Sequence, residues 1–173
     1  EKDSAALEVP MGSPDGQTGL SLKAHIWAPH QGDYYEIGDN AAPHYAQSSG
    51  GAQPIPPEPA PDHGPALTRH EGACECGAVR YRVYGAMRDV VVCHCGQCRR
   101  THGHAPGYSK ARHGEITVDG EADLAWYASS PEAKRGFCRK CGSSLFWRVD
   151  GADGVSVTAG SLKRPTGLKT VRH

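Results

Sequence analysis

Apolar and polar positions alternate most regularly in the second part of the chain. Ala78-Val79-Arg80-Tyr81-Arg82-Val83-Tyr84 alternates as a strand with one buried face does. Val90-Val91-Val92 is β-branched throughout and leads straight into Cys93, which predicts a thiol at a strand end. Glu115-Ile116-Thr117-Val118 and Leu124-Ala125-Trp126-Tyr127 predict further strands, divided by an Asp119-Gly120 turn. Ser144 to Val149 and Val155 to Thr158 predict the last two, separated by Asp150-Gly151 and Asp153-Gly154. Gly96 to Thr101 is short enough for one helical turn. The expected class is mainly β with short helical turns, and the cysteine clusters fall on the turns.

The first part of the chain reads differently. Residues 1–17 are small and polar without periodicity, and are expected to be disordered or extended. Leu20 to Trp27 alternates, and Tyr34-Tyr35-Glu36-Ile37 predicts a second short strand after a Gly32-Asp33 turn. Residues 18–47 are therefore expected to form a hairpin-like unit, too small to fold alone and in need of a surface to dock on. From 48 to 66 the chain carries Gly50-Gly51 and then Pro54, Pro56, Pro57, Pro59, Pro61 and Pro65, the composition of an extended linker. The folded domain is placed at 67–173.

Composition narrows the function. Glycine (22) and proline (13) are abundant and 38% of the 173 residues are hydrophobic, which suits short strands and many turns. Lys+Arg (19) equals Asp+Glu (19), so no global field draws in nucleic acid or an anionic membrane. No apolar run approaches the roughly 18 residues of a membrane-spanning helix, and Glu1-Lys2-Asp3-Ser4 does not open a signal peptide. The missing initiator Met leaves room for residues removed upstream. An odd number of thiols (7) in tight clusters fits a reducing compartment, so a cytoplasmic setting is expected.

All seven cysteines lie in three short segments: Cys74-Glu75-Cys76-Gly77, Cys93-His94-Cys95-Gly96-Gln97-Cys98 and Cys138-Arg139-Lys140-Cys141-Gly142. Thiols this close in sequence seldom reach disulfide geometry without strain, yet they can all face one metal ion. A structural zinc wants four ligands, commonly from two half-sites, with glycine after the second cysteine for the tight turn. Cys74, Cys76, Cys138 and Cys141 fit that description. Cys93, Cys95 and Cys98 then supply three ligands and leave one position, the pattern of a catalytic or substrate-binding zinc. The bland alternative is a second inert site completed by His94, His102 or His104, with His102, one turn beyond Cys98, the best placed. A different split of the thiols also remains open. Disulfides throughout are the weakest reading, because an odd count leaves one thiol over.

A faint repeat runs through the ends of the chain. Sliding residues 9–25 onto 157–173 without a gap aligns Val9, Gly12, Ser13, Thr18, Gly19, Leu20 and His25 with identical residues. If the repeat is genuine, the N-terminal hairpin is what would follow His173 in a complete module. The chain is then either cut from a tandem array or effectively permuted, with residues 18–47 completing the sheet.

The motifs Gly72-Ala73-Cys74-Glu75-Cys76-Gly77-Ala78-Val79-Arg80-Tyr81, Cys93-His94-Cys95-Gly96-Gln97-Cys98-Arg99-Arg100, Trp126-Tyr127, Lys134 to Trp147 and Ala159-Gly160-Ser161-Leu162 resemble the glutathione-dependent formaldehyde-activating enzyme family, which also includes centromere protein V. The resemblance covers about residues 67–173. It implies the zinc-bound fold called the β-tent and two zinc ions, one structural on Cys74, Cys76, Cys138 and Cys141, one catalytic on Cys93, Cys95 and Cys98. In the family a segment like Ala24-His25-Ile26-Trp27 follows the Ala-Gly-Ser-Leu stretch, whereas here it precedes the domain.

The implied activity is the joining of formaldehyde to glutathione as S-hydroxymethylglutathione, formally a carbon–sulfur lyase run in reverse. Three thiolates on one zinc leave a net negative site, which favours thiol activation over strong carbonyl polarisation. Glutathione's carboxylates call for basic partners, with Arg99 and Arg100 the first candidates and Arg139 and Lys140 next. Such residues serve equally well to offset thiolate charge. The competing class is a non-catalytic zinc module that binds a thiol ligand or a protein partner, including a neighbouring module or a second copy.

Overall fold

The computed structural model describes residues 7–38 and 41–173, so the expectation for residues 1–17 lies partly outside the described residues. Ten strands are formed: β1 (Arg69–Ala73), β2 (Arg80–Tyr84), β3 (Arg88–Val92), β4 (Gly107–Ala111), β5 (Ile116–Asp119), β6 (Leu124–Ala128), β7 (Ala133–Cys138), β8 (Ser144–Val149), β9 (Val155–Thr158) and β10 (Thr170–Arg172). One α-helix, α1 (Gly96–His102), follows β3. The strands make a three-stranded sheet in the order β1-β2-β5 and a seven-stranded sheet in the order β10-β3-β4-β9-β8-β7-β6. Pairing is antiparallel except for β10, which runs parallel to β3 at the sheet edge.

Both sheets contribute to one core. The alternation in β2 buries Tyr81 and Val83 and turns Arg80 and Tyr84 outward, so its period of two is a record of one apolar face. Val79, Tyr81 and Val83 meet Val90, Leu145, Phe146 and Val157 from the larger sheet, each burial contributing about 1.5–3 kcal/mol. The Tyr81 ring meets Phe146 edge-on with centroids 5.1 Å apart, and its hydroxyl pairs with Ser161 Oγ at 2.6 Å. That bond satisfies the one polar atom the ring carries into the core.

Two differences from the sequence reading have physical causes. No hairpin forms over residues 20–27 and 34–37; among the described residues the stretch carries only a 3-10 turn at Ala28–His30 and an isolated bridge between His25 and His44. Its backbone groups are used elsewhere. The Tyr34 carbonyl accepts from Thr170 N at 2.8 Å and Thr170 Oγ1 at 2.7 Å. The Asp33 carboxylate accepts from Thr166 N at 2.6 Å and Thr166 Oγ1 at 3.1 Å, and Arg164 donates to the Gln31 carbonyl at 2.8 Å. The segment docks as an irregular strap, and within it residues 25–28 bond to residues 43–47, with His25 N donating to the Pro43 carbonyl and Tyr45 N to that of His25, instead of to residues 34–37. The second difference is four strands that alternation did not reveal: β1, β4, β7 and β10.

Candidate functional site

The structure gathers the thiols into two clusters, Cys74 with Cys76, Cys138 and Cys141, and Cys93 with Cys95 and Cys98, the sulfurs of each lying within 4.8 Å of one another. The first joins the β1–β2 turn to the β7–β8 turn. Gly77 (φ 71°) and Gly142 (φ 77°) take left-handed conformations that let the chain double back, with Gly77 N donating to the Cys74 carbonyl and Gly142 N to that of Cys138. Val79 N also donates to Cys74 Sγ at 3.2 Å. Cys74 Sγ lies 3.6 Å from Cys76 Sγ, which lies 3.8 Å from Cys138 Sγ. A tetrahedron of metal–sulfur bonds of about 2.3 Å has edges of about 3.8 Å, so these thiols fit a single zinc-sized ion.

The second cluster is local. Cys93 follows β3, and Cys95 caps α1 by accepting from Cys98 N at 3.4 Å, which swings Cys98 back toward its neighbours. This backbone bond holds the Cys95 thiol below its ordinary value, whereas burial pushes Cys98 up to about 11. A thiol so raised keeps its proton at neutral pH until a metal displaces it. Among the described residues no His, Asp or Glu joins the three thiols.

His102 stands apart from the cluster. Its Nε2 pairs with the Tyr108 hydroxyl at 2.7 Å, and burial, aided by the Arg135 charge, drops its pKa to about 4. The ring is held by Tyr108 and lies outside the group of ligand atoms formed by the three thiols. His94 is turned away as well, pairing with His173 Nδ1 at 3.3 Å.

Arg135 of β7 was not singled out in the sequence. It is only 4% exposed and donates to Cys98 Sγ at 3.4 Å, Gln97 Oε1 at 2.9 Å and Tyr108 OH at 3.1 Å. A chain of contacts thus runs from Cys98 through Arg135 and Tyr108 to His102.

A family model described as glutathione-dependent formaldehyde-activating enzyme matches residues 69–173. The chain belongs to this family. A protein of Halomonas elongata, provisionally named as a glutathione-dependent formaldehyde-activating enzyme, is 34% identical over 46% of this chain and 55% of its own length. An uncharacterized lyase of Schizosaccharomyces pombe is 28% identical over 47% of this chain and 58% of its own length. The chain therefore spans little more than half of the curated relatives it matches. A crystal structure of a Rhodobacter sphaeroides protein aligns over 54% of this chain and 88% of its own with TM-score 0.47 and 28% identity.

In this member of the formaldehyde-activating family, a cavity of about 550 Å³ has Cys74 and Ser143 from the four-thiol region on its wall, together with Thr101 and His102 from the end of α1, and Tyr34 from the strap. The two arginines after Cys98 face the N-terminal segment. Arg99 donates to the carbonyls of Gly12 at 2.5 Å and Pro14 at 2.8 Å, and Arg100 to the Asp15 carboxylate at 2.5 Å. Hydrogen bonding to Arg100 lowers the Asp15 pKa. Lys140 is paired with Asp123 at 2.7 Å. Among the described residues no helix is long and apolar enough to cross a membrane.

Proposed function

We propose that the chain is a zinc-dependent enzyme of carbon–sulfur lyase type, acting on a thiol–aldehyde adduct of the S-hydroxymethylglutathione kind. The observation that carries this reading is the three-thiol cluster without a fourth protein ligand among the described residues. Two zinc ions belong to the proposal: Cys74, Cys76, Cys138 and Cys141 would hold a structural ion, and Cys93, Cys95 and Cys98 a catalytic one, which would supply the positive charge that favours a thiolate at neutral pH. Family membership and the names of the relatives support glutathione and formaldehyde as the thiol and the aldehyde.

In the addition, the glutathione sulfur bonds to the carbonyl carbon, the C=O π pair moves to oxygen, and the proton released by the thiol ends on that oxygen. The reverse step breaks the same C–S bond. The protein's own residues place Cys95 and Cys98 at the capped start of α1, and a cavity lies beside the end of that helix. Residues 67–173 form the zinc domain in this reading, with 18–47 completing it across the 48–66 linker, in a cytoplasmic setting where thiols stay reduced.

The test is exchange between glutathione, formaldehyde and the adduct, followed by NMR with zinc-loaded protein. The full chain is expected to speed exchange above the buffer rate, and Cys98→Ser to return it to that rate while retaining one zinc. Exchange no faster than in buffer would sink the enzymatic reading.

A second reading, a non-catalytic module that binds a thiol ligand or a protein partner, is favoured by one observation. Arg99 and Arg100, proposed to receive the glutathione carboxylates, are engaged by the chain's own Asp15 and neighbouring carbonyls. A carboxylate on this pair is itself a stand-in for the ligand. Asp15→Asn is accordingly expected to tighten glutathione binding about twofold to fivefold, the range of an exposed ion pair. Calorimetry showing unchanged affinity would remove the two arginines from the site.

A further inference from the structure

Arg135 presents a charge that the rest of the fold leaves unmatched. A guanidinium does not lose its proton in a protein, and a buried one needs a negative partner. Among the described residues no carboxylate forms an ion pair with Arg135. Its hydrogen-bond partners are the amide oxygen of Gln97, the neutral hydroxyl of Tyr108 and the sulfur of Cys98. Burial holds the Tyr108 hydroxyl up at about 12, so it supplies no charge at neutral pH. His102 beyond it is neutral. Every partner but one is therefore uncharged, and the exception is a metal-ligating thiol.

We infer that Arg135 is the counter-ion and positioning residue of the three-thiol metal site, an assignment that rests on the reading of Cys93, Cys95 and Cys98 as metal ligands. Three thiolates on a divalent ion carry one net negative charge, and one buried guanidinium neutralises it. The fork geometry adds orientation. One arm holds Cys98 Sγ while the neighbouring bond to Gln97, itself anchored to the Ser129 carbonyl at 2.6 Å, fixes the first turn of α1 against β7. A hydrogen bond to a ligating sulfur also withdraws electron density from it and so restores some Lewis acidity to an otherwise electron-rich ion. The four-thiol cluster lacks such a partner among the hydrogen bonds of its sulfurs, which come from backbone N–H groups, Ser143 and one another. The two centres are thus distinguished by charge as well as by ligand number.

The experiment loads the full chain with cobalt(II) and titrates it with a chelator, reading thiolate-to-cobalt absorption, with Cys98→Ser giving the signal of the four-thiol site alone. Wild-type protein is expected to hold two cobalt ions. Arg135→Met should loosen the three-thiol ion about tenfold to hundredfold and shift its absorption, while the four-thiol ion is unmoved. Arg135→Lys, which keeps the charge but not the fork, should recover much of the loss. Where Arg135→Met does not fold, Arg135→Gln removes the charge and keeps a hydrogen-bond donor, and the same loosening is expected. A single cobalt in wild type overturns the metal reading and the counter-ion with it. Two ions held equally tightly and with an unshifted spectrum in wild type and the uncharged variant overturn the counter-ion alone.

Discussion

Cys138→Ser is expected to abolish folding of the β domain, seen as loss of the far-ultraviolet strand signal and of a cooperative melt, and chelation of the wild-type protein should do the same. Cys138 is fully buried at the end of β7, its sulfur 3.8 Å from that of Cys76 on the far side of the fold. The cluster ties the three-stranded sheet to the larger one at a point where the chain offers only turns. Structural zinc is worth roughly 10–16 kcal/mol in small zinc-dependent peptides. Whole domains are stable by about 5–15 kcal/mol, so losing this ion exceeds or matches the total. The contrast with Cys98→Ser sharpens the test. Cys93, Cys95 and Cys98 lie within one local segment, and the hydrogen bond that ties their sulfurs to a distant strand, from Arg135 to Cys98, is one a serine oxygen can still accept, so that variant should fold and melt near wild type. A wild-type melt unchanged by chelation would exclude a structural ion.

The second large effect is expected at the strap. Replacing Asp33 with alanine removes a charged acceptor from Thr166 N and Oγ1, a loss of about 1.5–3 kcal/mol. Tyr34→Ala strips a half-buried ring packed against the core, at about 2 kcal/mol, below the cost of a fully buried aromatic. At about 2–4 °C per kcal/mol, the double variant should melt about 10 °C lower than wild type. Thermal unfolding followed by circular dichroism reads this directly. A melt within a degree of wild type would mean that the strap sits on the core without stabilising it.

The strands that could be seen in the sequence are those whose apolar residues face one way. Ala78 to Tyr84 alternates, and β2 there buries Tyr81 and Val83 between the outward Arg80, Arg82 and Tyr84. The missed strands break the rule for separate reasons. β4 reads Gly-Tyr-Ser-Lys-Ala, and its buried Ser109 looks like a surface residue until its hydroxyl is found bonded to the Arg88 carbonyl. In β7, Arg135 and Gly136 are both buried, so neither supplies an apolar signal. β1 includes Gly72, where a side chain would collide with the Tyr81 ring, and β10 is only three residues long.

The thiol clusters were legible because their cysteines come in groups one or two residues apart beside tight turns, and such spacing alone brings the sulfurs of each group together. Arg135 was not. It reaches Cys98 across 37 residues of sequence, and nothing in a charged side chain on a short strand announces that it points inward. The expected hairpin failed on competition: His25 to Ala28 bond to residues 43–47, while Asp33 and Tyr34 bond to Thr166 and Thr170.

Tyr34 has a further significance. It forms part of the wall of the cavity beside α1 and also of a neighbouring cavity of about 600 Å³ lined by His63, His104 and His173. One ring, carried by a segment outside residues 69–173, therefore borders two chambers, together with His104, Ala105 and Gly107. A molecule lodged in either one completes its surroundings with that ring, and the free energy it gains there is returned to the segment as resistance to detachment. Ligand affinity at these cavities and strap docking are two readings of one equilibrium, so a segment outside residues 69–173 sets how tightly a molecule there is held.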